Sequence, residues 1–216
     1  MKSIGMIGCG EIAKLHAACI AETEGLQLKK AFDIEPGAAR QFAEKTGSVC
    51  CQSVEDIFLD RRIDAVYICT RHDTHADLIV AGLDAGKDVF CEKPMAISVE
   101  QAENMRRAVE KNNVTFMMAF VNRFRQESIL LSEMQRQGRF GEIYHARCGW
   151  VRRRGTPSGW FTDRTKSGGG AVLDIGVHVI DLTWYLMGRP RPVSVSGVTH
   201  RRIGAYETRS VKGRAA

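Results

Sequence analysis

Between residues 2 and 120, short apolar runs of strand length alternate with segments whose apolar residues recur at helical spacing, and this alternation restricts the fold more than any other property of the chain. Residues 2–7 read as a short buried strand, and Ile12, Leu15 and Cys19 follow at i, i+3 and i+7, the stripe of a helix. Leu26 to Phe32 make the next run, and a helix follows around Ala38 to Lys45. "DAVYICT" at 64–70 and "KDVFCE" at 87–92 are further strands, with a helix between them. Ser98-x-x-Gln101 is a capping-box pattern opening a helix striped by Ala102, Met105 and Val109, and "VTFMMAF" at 114–120 returns as a sixth strand. Strands alternating with helices pair in parallel and are covered on both faces, so residues 1–120 are expected to form an α/β, doubly wound parallel sheet.

After residue 120 the pattern changes. A helix is expected around 125–137, and "EIYHARCGWV" at 142–151 alternates, with Tyr144, Ala146, Cys148 and Trp150 on one side. Period two with one mixed face is the habit of an antiparallel strand covered on one side. A loop rich in Gly, Pro and Ser leads to "GGGAVLDIGVHVIDLTWYLMG", where Val172, Ile175, Val179, Leu182 and Leu186 repeat at helical spacing, and "PVSVSGVTH" at 192–200 alternates again. Residues 121–200 therefore read as part of an α+β, mostly antiparallel second domain. Residues 201–216 are unpatterned and are expected to be a poorly ordered basic tail.

That tail holds five Lys/Arg and one acid, and so accounts for most of the formal charge of +6. The remaining chain carries no nucleic-acid footprint; its densest basic run, Arg152-Arg153-Arg154, reads as a solvated strand end. An apolar fraction of 44% and a charged fraction of 26% suit a globular chain and exclude disordered, collagen-like and disulfide-scaffold classes. Seven cysteines, an odd number without a C-x-x-C pair, favour reduced thiols over a disulfide framework or a zinc site. No apolar stretch approaches membrane-spanning length and the N-terminus makes a poor signal peptide, so the expectation is a cytoplasmic protein with no membrane or nucleic-acid partner.

Two stretches carry chemistry. "IGMIGCGEIAKLH" contains Gly8-x-Gly10-x-x-Ala13 between a strand and a helix. The first glycine makes the tight turn, the second lets backbone N–H groups approach a pyrophosphate, and the small third residue lets helix and strand pack closely. Asp33 ends the second strand where an acid would bond the adenosine ribose hydroxyls, the arrangement of a Rossmann dinucleotide site. We assign Gly8, Gly10, Glu11, Ile12 and Asp33 to the cofactor. Because Ile34 and Glu35 follow Asp33, a 2′-phosphate would meet negative charge and NAD is preferred over NADP; Arg40 works against that preference. Ligands of open α/β sheets lie at the carboxyl ends of the strands, so Thr70, His75 and the Glu92-Lys93-Pro94 corner should face one cleft. His75 reads equally as a helix-entry residue packed against its turn. In "GGGAVLDIGVHVID", Asp174, His178 and Asp181 stand at i, i+4 and i+7 and share a helix face among apolar neighbours, so they need partners. A metal site from these residues is not expected, for want of further Cys or His.

The Gly8-x-Gly10 turn, "THADLIVAGLDAGKDVFCEKPMA", "FVNRFR" and "GGGAVLDIGVHVID" together resemble the oxidoreductase family of glucose-fructose oxidoreductase, inositol dehydrogenase and the MocA rhizopine-catabolism protein, over residues 1 to about 200. The resemblance implies that the Glu-Lys-Pro corner lies under the nicotinamide ribose, often with a cis Lys-Pro bond. Glu92 would contact the ribose side, Lys93 would point to both cofactor and substrate, and Asp174 and His178 would complete the catalytic set. It implies hydride transfer from a secondary alcohol of a sugar or cyclitol to NAD, with His178 as base, Lys93 bonding the hydroxyl and Asp174 orienting or stabilising the imidazolium. Glycoside cleavage with NAD recycled in each turnover, or an inactive NAD-binding regulator, are the alternatives. Members of that family carry a larger second-domain sheet through which they pair, so the chain reads as truncated there and as a homo-oligomer.

Overall fold

A computed structural model of the chain describes residues 1–151 and 159–200. The Arg152-Arg153-Arg154 run and the basic tail at 201–216 lie outside the described residues. Six parallel strands form one sheet: β1 (Lys2–Ile7), β2 (Leu26–Phe32), β3 (Val49–Cys50), β4 (Ala65–Ile68), β5 (Asp88–Cys91) and β6 (Phe116–Met118). Their order is β3-β2-β1-β4-β5-β6, which is the doubly wound arrangement. The chain leaves β1 toward one edge and later returns to β4 on its other side, so the carboxyl ends of β1 and β4 border the crevice where ligands of such sheets bind. The third strand, for which the apolar pattern gave no range, is only two residues long and makes the edge beside β2.

Helices α1 (Glu11–Glu22) and α2 (Pro36–Thr46) cover one face over β1 and β2, closing a cluster of Ile4, Met6, Ala13, Ala17, Ile20 and Phe42. The short α3 (Glu55–Phe58), α4 (His75–Asp84) and α5 (Val99–Lys111) cover the opposite face, where Ile7, Ile57, Val66, Ile79, Leu83 and Met105 pack. Alternate residues of β1 enter the two clusters, as the two-residue period of a strand requires. Full burial of side chains such as Ile79 and Leu83 contributes roughly 2 kcal/mol each.

The expected stripe on α1 is corrected by the packing. Leu15 is 59% exposed, Ile12 and Cys19 also face out, and the helix buries Ala13, His16, Ala17 and Ile20 instead. Close approach of α1 to the sheet favours small side chains, and large apolar residues are left on its rim. At the start of α5 the cap forms: Ser98 Oγ accepts from Gln101 N at 3.2 Å, while Gln101 Oε1 accepts from Ile97 N at 3.0 Å, one residue before the usual position.

Beyond the sheet, α6 (Gln126–Arg136) packs against α8 (Val177–Leu186), with α7 (Arg164–Ser167) between them in sequence. Arg123, just before α6, donates Nε–H to Asp181 Oδ2 at 2.8 Å and bonds Oδ1 with its second nitrogen. The strands expected at 142–151 and 192–200 are not formed: among the described residues no strand follows β6. Strand backbone needs a neighbouring strand for its N–H and C=O groups. Neither segment finds one, and Tyr144 and Val193 stand 92% and 96% exposed.

Candidate functional site

Four strand ends supply one side of the site. The turn after β1 begins with Gly8 at φ 89°, a left-handed conformation, and a Cβ there would lie 2.5 Å from the Cys69 carbonyl oxygen at the end of β4. Gly10 caps α1 without any side-chain hydrogen bond, and nothing lies within 4 Å of where its Cβ would stand. The first N–H groups of α1 therefore face open space with the positive end of the helix dipole behind them, a ready anion site. Glu11 is exposed and ion-paired to Lys14, Ile12 is partly exposed, and Ala13 is fully buried as the contact that brings helix and strand together. Asp33, after β2, accepts from Cys9 N at 2.7 Å and from Glu35 N at 2.8 Å. The expected ribose ligand thus also ties the glycine turn to β2. The nearby Cys9 thiol, pushed up to about 12 by burial and then by Asp33, stays protonated.

At the end of β4, Thr70 Oγ1 lies 2.7 Å from Thr74 Oγ1. His75 is fully buried: Nδ1 stands 2.8 Å from Pro94 O and Nε2 3.1 Å from Thr70 O. A neutral imidazole carries one N–H and donates to one of these two carbonyls, so the ring sits between the loop after β4 and the corner after β5, a place that matches the helix-entry reading. His72 is buried too, with Nδ1 3.0 Å from Ser167 O and its ring edge-on to Trp160. Burial lowers the pKa of both histidines.

The corner itself joins the two halves of the chain. The Lys93-Pro94 peptide bond is cis. Glu92 bonds His16 Nε2 through Oε1 at 2.8 Å and accepts from Lys93 N through Oε2 at 3.2 Å. Lys93 Nζ donates to Asp174 twice, to the main-chain O at 2.7 Å and to Oδ1 at 3.0 Å. Asp174 lies on a π-helical turn, Val172–Gly176, that leads into α8. Gly168, opening the glycine run before it, has φ 74°, and a Cβ there would collide with Ile97 at 2.4 Å. One turn beyond Asp174, His178 buries Nδ1 without any hydrogen-bond partner, and desolvation, followed by the Lys93 charge, lowers its pKa. Asp174 is engaged by Lys93 and has no hydrogen bond to His178, but its charge favours the protonated imidazole.

Asp174, His178 and Asp181 do share a face, but they serve different neighbours: Asp174 meets Lys93, Asp181 meets Arg123, and His178 is left open. Among the described residues no group of three or more His, Cys, Asp or Glu side chains could hold a metal ion, and no helix is long and apolar enough to cross a membrane. A groove of about 760 Å³ opens between α1 and α2 beside Gly10 and Glu11, but Lys93, Asp174 and His178 are not in its lining, so the polar constellation and not concavity locates the reactive cleft. The sequence reading missed His16 and the Arg123–Asp181 pairing. A histidine between Ala13, Ala17 and Ile20 sits on a buried stripe and must find a partner, which was the available signal for His16.

Residues 2–120 match a family model described as an oxidoreductase family with an NAD-binding Rossmann fold, and residues 129–212 match the GFO/IDH/MocA C-terminal domain. The chain is 32% identical over 209 residues to the D-glucoside 3-dehydrogenase of Escherichia coli K12, covering 95% of this chain and 59% of that protein. It is 33% identical over 194 residues to the inositol 2-dehydrogenase of Rhizobium meliloti, covering 89% and 56%. A solved structure of levoglucosan dehydrogenase in complex with NADH and levoglucosan superposes with a TM-score of 0.77 at 28% identity, over 87% of this chain and 54% of that one. The chain thus spans little more than half the length of the relatives it matches.

Proposed function

The chain belongs to the GFO/IDH/MocA oxidoreductase family, and from that premise we propose that it oxidises a secondary alcohol of a sugar or cyclitol with NAD as hydride acceptor. The observation that carries the reading is the cluster after β5: an ammonium held at 3.0 Å from a carboxylate, next to a desolvated histidine whose Nδ1 has no partner. The residues also fit a dinucleotide. The open, uncapped start of α1 suits the pyrophosphate, the empty space at Gly10 admits its close approach, and Asp33 offers an acid to the adenosine ribose. We assign Ile12, Thr70 and Glu92 to the same cleft, and His75, buried between the Pro94 and Thr70 carbonyls, to the support of its floor.

The bound nicotinamide supplies the acceptor for the hydride leaving the carbinol carbon. The chain's own residues handle the proton and the orientation. Lys93 donates to the substrate oxygen, exchanging one of its two contacts with Asp174, and thereby stabilises the negative charge that grows there. His178, kept neutral near pH 7 by its lowered pKa, takes the hydroxyl proton. Asp174 holds Lys93 at the reacting atom. Seven free thiols favour a reducing compartment, and we place the protein in the cytoplasm. The exposed apolar alternation at 142–151 and 192–200 supports a homo-oligomer paired through those segments, which sedimentation of the purified chain tests.

Calorimetry with NAD, and NADP as control, followed by a polyol screen for NADH production, tests the function. We expect NAD to bind more tightly than NADP, and the Lys93→Ala protein to bind NAD while losing turnover by about 100-fold or more. Normal turnover by Lys93→Ala would end the assignment of Lys93; NAD binding without turnover of any polyol would leave a cofactor-binding protein.

A further inference from the structure

The Glu92 carboxylate is engaged through both of its oxygens. Oε1 lies 2.8 Å from Nε2 of His16 on α1, and Oε2 receives the main-chain N–H of Lys93. Both side chains are 11% exposed, so a broken bond here would leave a polar group with little water to replace its partner. The imidazole is held edge-on by Phe90 of β5, ring centroids 5.3 Å apart, and by Tyr67 of β4 at 6.1 Å. α1 is the helix whose first turn opens at Gly10. One histidine therefore connects the helix of the glycine turn, through one carboxylate, to the peptide that carries Lys93.

We propose that His16 is a positioning residue for Lys93: through Glu92 it fixes the Lys93 peptide, and with it the reach of Nζ toward Asp174 and the substrate oxygen. Any rigid pair of buried groups would stabilise the fold, but this one ends on the backbone of the residue whose amine is to react. An error of about 1 Å in the placement of a reacting group can cost up to about 100-fold in rate. A coupling of this kind therefore shows in turnover and in the chemistry of Lys93, beyond any loss of stability.

The kinetic arm rests on the proposed dehydrogenase reading; the chemical arm does not. In the full chain, the rate at which Lys93 is acetylated by an amine-reactive acetyl ester is followed by mass spectrometry, well below the melting temperature, with exposed Lys14 and Lys111 as internal references. We expect His16→Leu to raise Lys93 labelling several-fold with the references unchanged, and His16→Gln, which keeps a donor for Glu92, to return it close to wild type. Where the wild type turns over a polyol, His16→Leu should lower kcat by about 10-fold or more with the KM for NAD nearly unchanged, again rescued by glutamine. Should His16→Leu fail to fold, His16→Asn, whose amide is too short to keep the contact, replaces it. Unchanged Lys93 labelling in a folded His16→Leu or His16→Asn protein overturns the proposal. A wild type without turnover refutes the dehydrogenase reading, and the labelling still decides the role of His16.

Discussion

His178 shows how one side chain acquires a chemical property from its surroundings. Its sequence neighbours Val177 and Val179 are apolar, and the folded chain surrounds Nδ1 without giving it a partner. Removing water from an imidazole disfavours the charged form, and the Lys93 ammonium disfavours it further, so the pKa falls below its usual value near 6.5. A base must be deprotonated to act. The acid limb of kcat/KM should therefore have its midpoint below pH 6.5, and a pH profile with a midpoint above 7 would exclude His178 as the base. The residue types and spacing of Asp174 and His178 were legible in the sequence, but the partner of Asp174 was not. That partner, Lys93, lies 81 residues away in the chain.

At the scale of elements, a buried ion pair ties α8 to the turn before α6, beside the bond from Ser132 Oγ to the Tyr185 hydroxyl at 3.0 Å. Asp181 has 6% of its side chain exposed, and Arg123 lies against it between the rings of Phe120 and Tyr185. Asp181→Asn would leave the guanidinium in partly dry surroundings without a counter-charge, so we expect a loss of about 3 kcal/mol, read by urea denaturation. A loss under about 0.5 kcal/mol would show that α8 is held by its other contacts with α6 and not by this pair. The alternating segments at 142–151 and 192–200 teach the complementary lesson. Their residues alternate with period two, yet period two states only which face a strand would present. Formation of the strand depends on a neighbour, and a helix such as α6, which satisfies its own backbone, depends on one far less.

For the whole molecule, three histidines titrate in the same direction. Burial lowers the pKa values of His72, His75 and His178 in the fold, while in the unfolded chain they protonate near pH 6.5. Below that pH the unfolded state binds more protons than the folded state, so stability is complete above pH 6.5 and is lost as the pH falls toward the folded values. Denaturation midpoints should drop between pH 7.5 and pH 5.5, a window above the range in which carboxylates titrate, and an unchanged midpoint would contradict this. The sequence by itself determined the parallel sheet, the glycine turn and the residue types at the strand ends, because periodicity and turn chemistry act within a few residues. Only the tertiary structure decided which buried polar groups meet: His16 with Glu92, Lys93 with Asp174, Arg123 with Asp181. These partners are 58 to 81 residues apart, and no local pattern encodes a contact that exists only once the sheet is wound and the helices beyond it have docked.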